Sequence, residues 1–237
     1  MDIFKFSSFS VLIVVCLMQI IGCSQSSSSI KTGKAIPLPT KERQDSLSPE
    51  QIILKLNRGN ERSVSGELRN YNQLTRRQLT SVEGQYPVAV ILSCIDSRSI
   101  PEKIFDLNKG DLFAVRVAGN VVNDDVLGSL EYSTAVAGAK VIIVLGHTSC
   151  GAVKASCEPG EKPGHIEQLV AKIRPSVMSS SKLSDGELLT SIENNARATT
   201  KQILKESKII SDLVADGKLI LKTAVHNISN GKVNYLD

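Results

Sequence analysis

The stretch KVIIVLGHTSCGA, residues 140–152, carries two signals in immediate succession. From Val141 to Leu145 the chain is unbroken apolar and mostly β-branched, the composition of a strand buried on both faces of a parallel sheet. His147 and Cys150 follow at once, three positions apart, and then Gly151 and Ala152. Upstream the pattern recurs: PVAVILSC, residues 87–94, is a second apolar run, and it ends in Cys94, Asp96 and Arg98 at alternate positions. Buried polar and ionisable groups are costly unless partnered. Two such strands ending in soft or ionisable side chains therefore ask for one explanation.

Working outward, DLFAVRVAG (111–119) and KLILKTAVHNI (218–228) read as two further strands. Between the second and third strands, VLGSLEYSTAVAGA (126–139) reads as a helix with Leu127, Leu130, Val136 and the alanines facing the core. Towards the N-terminus, LSPEQIILKLNRGNERSVSGELRN (47–70) opens a helix with Ser48 as the expected N-cap and Pro49 at the first helical position, and QLTRRQLTSVEGQ (73–85) is a second helix. After the fourth strand, Ser229-Asn230-Gly231 is a tight-turn signal, and KVNYL (232–236) would return antiparallel along the sheet edge. Strands alternating with helices predict an α/β fold: a mostly parallel central sheet of about four parallel strands plus an antiparallel edge strand, flanked by helices, with an N-terminal helical arm.

The chain's 237 residues suit a single sizeable core. Its 41% hydrophobic and 22% charged residues are ordinary for a globular protein. A net charge of +4, no run of five or six like charges and no tryptophan give no basis for a nucleic-acid partner.

The first segment reads separately. Lys5 precedes an apolar stretch from Val11 to Ile21, short of the roughly 20 residues of a membrane span and suited to a signal-peptide core. Ile20-Ile21-Gly22-Cys23, followed by SQSSSS, resembles a bacterial lipoprotein box. That resemblance implies a lipoprotein-type signal peptide over 1–22 and lipid on Cys23. A polar tether over 23–46 and a domain over 47–237 would follow. The domain is expected to be exported and held on the periplasmic side of a membrane, with Ser24 after Cys23 favouring the outer membrane.

With Cys16 leaving in the signal and Cys23 lipidated, Cys94, Cys150 and Cys157 remain in the domain. They allow one disulfide and a spare thiol. A metal ion taking Cys94 and Cys150 accounts better for their contexts, with Cys157 a small buried side chain. In open parallel sheets, ligands gather beyond the carboxyl ends of the strands. If the strands ending at Cys94 and His147 are neighbours, Cys94, His147 and Cys150 can meet at a zinc ion. Three protein ligands leave a fourth position open, the arrangement of a catalytic site. Asp96 would either occupy that position, closing the site, or stand beside a bound water. His165 reads as a surface histidine and His226 as a core one.

Cys94-Ile95-Asp96-Ser97-Arg98 and His147-Thr148-Ser149-Cys150-Gly151-Ala152 resemble the C-S-D-S-R and H-T-x-C-G-A patterns of the β-class carbonic anhydrases. The likeness extends through NRGNERSVSG, Gln85-Tyr86-Pro87, IFDLNKGDLFAVRVAGN, GSLEYS and ISNGKVNYL, over roughly residues 48–237. It implies one Zn2+ per subunit on Cys94, His147 and Cys150, with an Asp96–Arg98 dyad beside the metal. Gln85 and the backbone amide of Gly151 become hydrogen-bond donors to bicarbonate. It also implies a homodimer or larger homo-oligomer with the cleft at the subunit interface. Ile95 replaces the usual serine and is expected to face the core. Val117 stands where many members have asparagine. Without tryptophan, the family's regulatory bicarbonate pocket is not expected in its usual form.

The implied activity is reversible hydration of carbon dioxide to bicarbonate and a proton, as a zinc lyase. Asp96 would accept a hydrogen bond from the nucleophile, and Arg98 would keep Asp96 ionised and turned from the metal. Two other readings stay open on sequence alone: hydrolysis of carbon disulfide or carbonyl sulfide on the same site, and a noncatalytic zinc-binding protein.

Overall fold

Parallel strands cannot be joined by tight turns, so each apolar run must be followed by a crossover before the next can pair with it. A computed structural model, describing residues 36–180 and 182–236, has this arrangement. The signal segment, Cys23 and the tether up to residue 35 lie outside the described residues. Five strands form one sheet in the order β2-β1-β3-β4-β5. They are β1 (Ala89–Ser93), β2 (Leu112–Arg116), β3 (Val141–His147), β4 (Ile220–His226) and β5 (Val233–Tyr235). The first four are parallel and β5 is antiparallel to β4. β1 and β3 are buried along their whole length, as their unbroken apolar runs predict, whereas the edge strand β2 alternates between more and less exposed positions.

The sheet's two faces are covered separately. On one, Ile91, Ile143 and Leu145 pack with Ile52 and Leu56 of a helix over Pro49–Ser65. On the other, Val90, Leu92, Ile142 and Val144 pack with Leu130, Ala196, Ile203 and Ile210. Alternate residues of one strand thus feed opposite cores, the period of a pleated sheet. Along the chain the helices are α1 (Lys41–Ser46), α2 (Pro49–Ser65), α3 (Gln73–Val82), α4 (Pro101–Ile104), α5 (Asp124–Glu131), α6 (Gly151–Cys157), α7 (His165–Ile173), α8 (Asp185–Glu206) and α9 (Lys208–Ala215). Ser48 caps α2 as expected, and Gln51 completes a capping box with it. The helical arm therefore lies against its own sheet. Gly59 makes the contact possible, because a Cβ there would fall 1.9 Å from the carbonyl oxygen of Phe105.

Three expectations need correction. The polar stretch expected to end a tether at residue 46 belongs to the folded unit from Ile36 onward. Its polar side chains are spent on the fold. Buried Gln44 donates to the carbonyls of Pro87 (2.7 Å) and Ala137 (2.8 Å). Lys140 closes the end of α1 by donating to the carbonyls of Gln44, Asp45 and Leu47. Arg76, buried and paired with Asp111 at 2.9 Å, reaches the carbonyl of Pro37.

Val136, expected in the core, is 71% exposed. After α5 the helix widens to a π-turn over Tyr132–Val136, which shifts the phase and turns Ser133 and Thr134 inward instead. The hairpin after β4 is also longer than a two-residue turn. Asn227 organises it, its side chain accepting from the amides of Ser229 and Asn230.

Candidate metal centre

Register decides what meets at the carboxyl end of the sheet. Ser93 of β1 lies opposite Leu145 of β3, so Cys94 emerges beside the last turn of backbone that carries His147. From His147 the chain turns through Ser149, at φ +56°, and Cys150 becomes the N-cap residue of α6. The ligand atoms of Cys94, His147 and Cys150 all lie within 4.8 Å of one another, and all three residues are buried. The three cysteines of the described residues are free thiols, which removes the disulfide alternative.

This donor set fits zinc on its own evidence. The Nδ1 of His147 lies 3.0 Å from the carbonyl oxygen of Thr148, which places a proton on Nδ1 and leaves Nε2 as a lone-pair donor. That Nε2 is buried without a hydrogen-bond partner. A buried nitrogen left unpaired beside two thiols is expensive unless a cation completes it. The thiols respond to each other: a hydrogen bond from Cys150 holds Cys94 far below the usual thiol range, while Cys94 pushes Cys150 up. A divalent cation between the two sulfurs would favour both as thiolates.

Neighbouring residues fix the loop. The amide of Gly119 donates to Cys94 Sγ at 3.4 Å, and Asn195 of α8 donates to the Gly119 carbonyl at 2.8 Å. Gly119 sits at φ +68°, and a Cβ there would lie 2.5 Å from Ile173 Cδ1, so only glycine fits. Arg116 donates to the carbonyls of Cys94 (3.1 Å) and Asp96 (2.7 Å). Sequence reasoning missed Arg116, Gly119 and Asn195 as contributors. A hint lay in VRVAGN, where an arginine at a strand end and an interior glycine interrupt an apolar run.

Asp96 and Arg98 form a two-point pair, Nε to Oδ1 at 2.9 Å and Nη2 to Oδ2 at 2.7 Å, and the Arg98 amide adds a third bond to Oδ1. Arg98 holds the Asp96 carboxyl well below the usual carboxylate range. Asp96 Oδ2 lies 3.9 Å from His147 Nε2, and Asp96 stands outside the three-residue donor group. Both its oxygens accept hydrogen bonds from Arg98.

Ile95, expected in the core, is 60% exposed, because the chain has left the sheet by this point. Gly151 opens α6, where first-turn amides have no intrahelical acceptor. Gln85 is exposed and precedes β1, whereas the donor group follows it. At about 3.3 Å per residue, β1 alone separates them by about 13 Å, so Gln85 does not reach the donor group of its own chain. His165 is exposed, Cys157 is buried, and His226 is buried on β4 with Nδ1 3.2 Å from Ser99 Oγ.

An open parallel sheet whose neighbouring strands deliver two thiols and an imidazole to one point, beside a paired carboxylate, defines an α/β metalloprotein with a catalytic type of Cys2His centre. The comparison with known families agrees with that class. The chain belongs to the β-class carbonic anhydrases: the family model described as carbonic anhydrase matches residues 89–233.

Carbonic anhydrase 2 of Mycobacterium tuberculosis is 35% identical over 181 residues, covering 75% of this chain and 87% of the relative. The carbonic anhydrase of Mycolicibacterium smegmatis is 34% identical, with 74% and 87% covered. Among solved structures, the Coccomyxa β-carbonic anhydrase in complex with acetazolamide superposes with a TM-score of 0.61 at 24% identity, covering 78% of this chain and 85% of its own. A tetrameric β-carbonic anhydrase from Sordaria macrospora gives 0.63 at 21% identity, covering 70% and 87%. At these identities the structures bear on the fold alone.

Proposed function

We propose that this protein catalyses the reversible hydration of carbon dioxide to bicarbonate and a proton at a zinc ion held by Cys94, His147 and Cys150. The observation that carries this reading is the buried, unpartnered Nε2 of His147 grouped with the sulfurs of Cys94 and Cys150 within 4.8 Å. When bound, zinc acidifies a water molecule, and two thiolates lend it more electron density than imidazoles do, so ionisation falls above the value of about 7 found for an all-histidine site. The residues of this chain do the positioning. Asp96, ionised and unable to donate, accepts the hydrogen bond of the attacking oxygen and directs its remaining lone pair at the carbon of the substrate. Arg98 occupies both carboxylate oxygens and so keeps Asp96 from turning to the metal. The amide of Gly151, in the first turn of α6, would donate to the bicarbonate product.

Stopped-flow hydration with parallel metal analysis tests this reading. Activity should accompany about one zinc per chain and rise on the alkaline side of neutrality; a zinc-replete protein without turnover would overturn it.

We further infer a homo-oligomer. The distance of Gln85 from its own donor group supports this, since a bicarbonate donor at that position has to be Gln85 of the partner subunit. The tetrameric relative from Sordaria macrospora is consistent with it. Lipid attachment at Cys23 and an exported, membrane-held location rest on the sequence of residues 1–24. Among the described residues no helix is long and apolar enough to cross a membrane. Cells expressing the protein with labelled palmitate should give a labelled band that Cys23→Ser abolishes; equal labelling of that variant would remove the anchor.

A further inference from the structure

From Ile95 to Ile100 the chain crosses the carboxyl end of the sheet with every residue exposed or half-buried except Ser99, which is fully buried. A polar side chain at the one buried position of such a turn is costly unless it is partnered. Its partner comes from far away in the sequence. Ser99 Oγ lies 3.2 Å from Nδ1 of His226, the last residue of β4 and itself buried, 127 positions downstream. A hydroxyl can donate or accept, so either tautomer of the imidazole makes this bond. An apolar side chain at residue 99 would fill the space, but hydrophobic contact has no direction, whereas a hydrogen bond fixes a distance and an angle.

We propose that Ser99 and His226 are positioning residues, whose hydrogen bond fixes the turn that aims the Asp96 carboxylate. Three bonds hold that carboxylate, and all three come from Arg98: from its amide, its Nε and its Nη2. Asp96 therefore points where Arg98 is placed. The Arg98 side chain is 53% exposed, so its place is set through the backbone it shares with Ser99. The turn is pinned at both ends. At its start the Asp96 carbonyl accepts from Arg116 Nη2 at 2.7 Å and from the Ser99 amide at 2.9 Å. At its end the Ser99 side chain is moored to β4.

His226 also serves the other half of the site, by a separate route. It lies in register with His147, and its carbonyl accepts from the Thr148 amide at 3.0 Å. The Thr148 hydroxyl accepts from the amide of Ile228 at 3.1 Å, and the Thr148 carbonyl faces His147 Nδ1. The main chain at the end of β4 thus steadies the His147 loop, while the His226 side chain steadies the Asp96 turn. Replacing that side chain removes the second tie and leaves the first. Since Asp96 serves the reaction only on the reading proposed above, the loss should appear in turnover and not in zinc content.

The test separates rate from stability on the zinc-loaded, full-length protein. Ser99→Ala and His226→Leu should each keep about one zinc per chain and an unchanged KM while kcat falls about tenfold, the mark of an interaction made only in the transition state. The double variant is apolar at both positions, so it should recover melting temperature relative to the singles, yet stay as slow as the slower of them. His226→Asn can still meet the Ser99 hydroxyl; it should turn over faster than His226→Leu although the void it leaves lowers its melting temperature. In ¹⁵N-edited NMR spectra, the Arg98 Nε–H signal, identified by its absence from Arg98→Lys, should shift in Ser99→Ala. Parent-like kcat in both single variants, kcat recovering together with melting temperature in the double, loss of zinc, or an unmoved Arg98 signal would each overturn the proposal. The NMR signal needs no turnover. A zinc-loaded parent inert in hydration would refute the enzymatic reading, and the Arg98 signal would then decide alone whether Ser99 and His226 hold the turn.

Discussion

Replacing Cys150 with alanine should strip the protein of stoichiometric zinc and reduce carbon dioxide hydration to the uncatalysed rate. The expectation follows from counting donors. Zinc in proteins is held by three or four side chains, and a catalytic site has only three to begin with. Here the three that could serve are Cys94, His147 and Cys150, gathered within 4.8 Å, while Asp96 beside them has both oxygens on Arg98. Losing an outer-shell partner of a metal ligand already costs about 10–100-fold in affinity or activity, and losing a ligand costs more. Alanine keeps the Cβ at the start of α6, where Val153 and Cys157 anchor the helix in a small core, so the fold should survive. Cys157→Ala is the internal control: it removes a buried thiol of the same core that lies outside the donor group, and it should keep both metal and turnover. Elemental analysis, stopped-flow rates and thermal melts on the two variants decide the matter. Stoichiometric zinc in Cys150→Ala would take Cys150 off the ligand set.

The parts of this molecule that were legible beforehand are those whose causes are local. β1 and β3 declare themselves because burial on both faces leaves no polar position in the run. Ser48 and Pro49 declare the start of α2 because capping and a fixed φ act within the first turn. Cys94, His147 and Cys150, the group that could hold a metal, stood out for a related reason: a thiol or imidazole next to a strand end is conspicuous within six residues. What was not legible depends on partners distant in sequence. Gln44 looks like one more polar residue of a tether until Pro87 and Ala137, more than forty positions away, supply the carbonyls that bury it. Asn195 steadies the Gly119 loop from 76 residues downstream. Val136 was misplaced by a single widened turn, since one extra residue per turn rotates every later side chain by about 100°. Gln85 shows a further limit. Its motif is local, but the position it would serve lies beyond the other end of its own strand.

Removing the guanidinium of Arg98 should cost about 10–100-fold in hydration rate while zinc stays bound, the size of effect typical for a group that orients rather than ligates. Protonation of Asp96 is not the cause. Arg98 depresses the Asp96 carboxyl, and its loss would return the group towards about 3.9, still ionised near neutrality. By the same sign, the stability this pair gives the fold is fully present above about pH 3.9 and disappears only as pH falls below that towards the lower folded value. The loss of rate is therefore one of orientation. Freed of its two-point partner, Asp96 needs to cover only a short distance, its Oδ2 being 3.9 Å from His147 Nε2, to take the open position on the metal. Arg98→Ala should then bind zinc at least as tightly as the parent protein while turning over slowly, a combination that loss of a ligand cannot produce. Arg98→Lys should fall between the two, since one ammonium keeps the charge but cannot hold both carboxylate oxygens in a plane. Full activity in Arg98→Ala would show that Asp96 keeps its orientation unaided. Loss of zinc from that variant would place Arg98 among the supports of the metal itself.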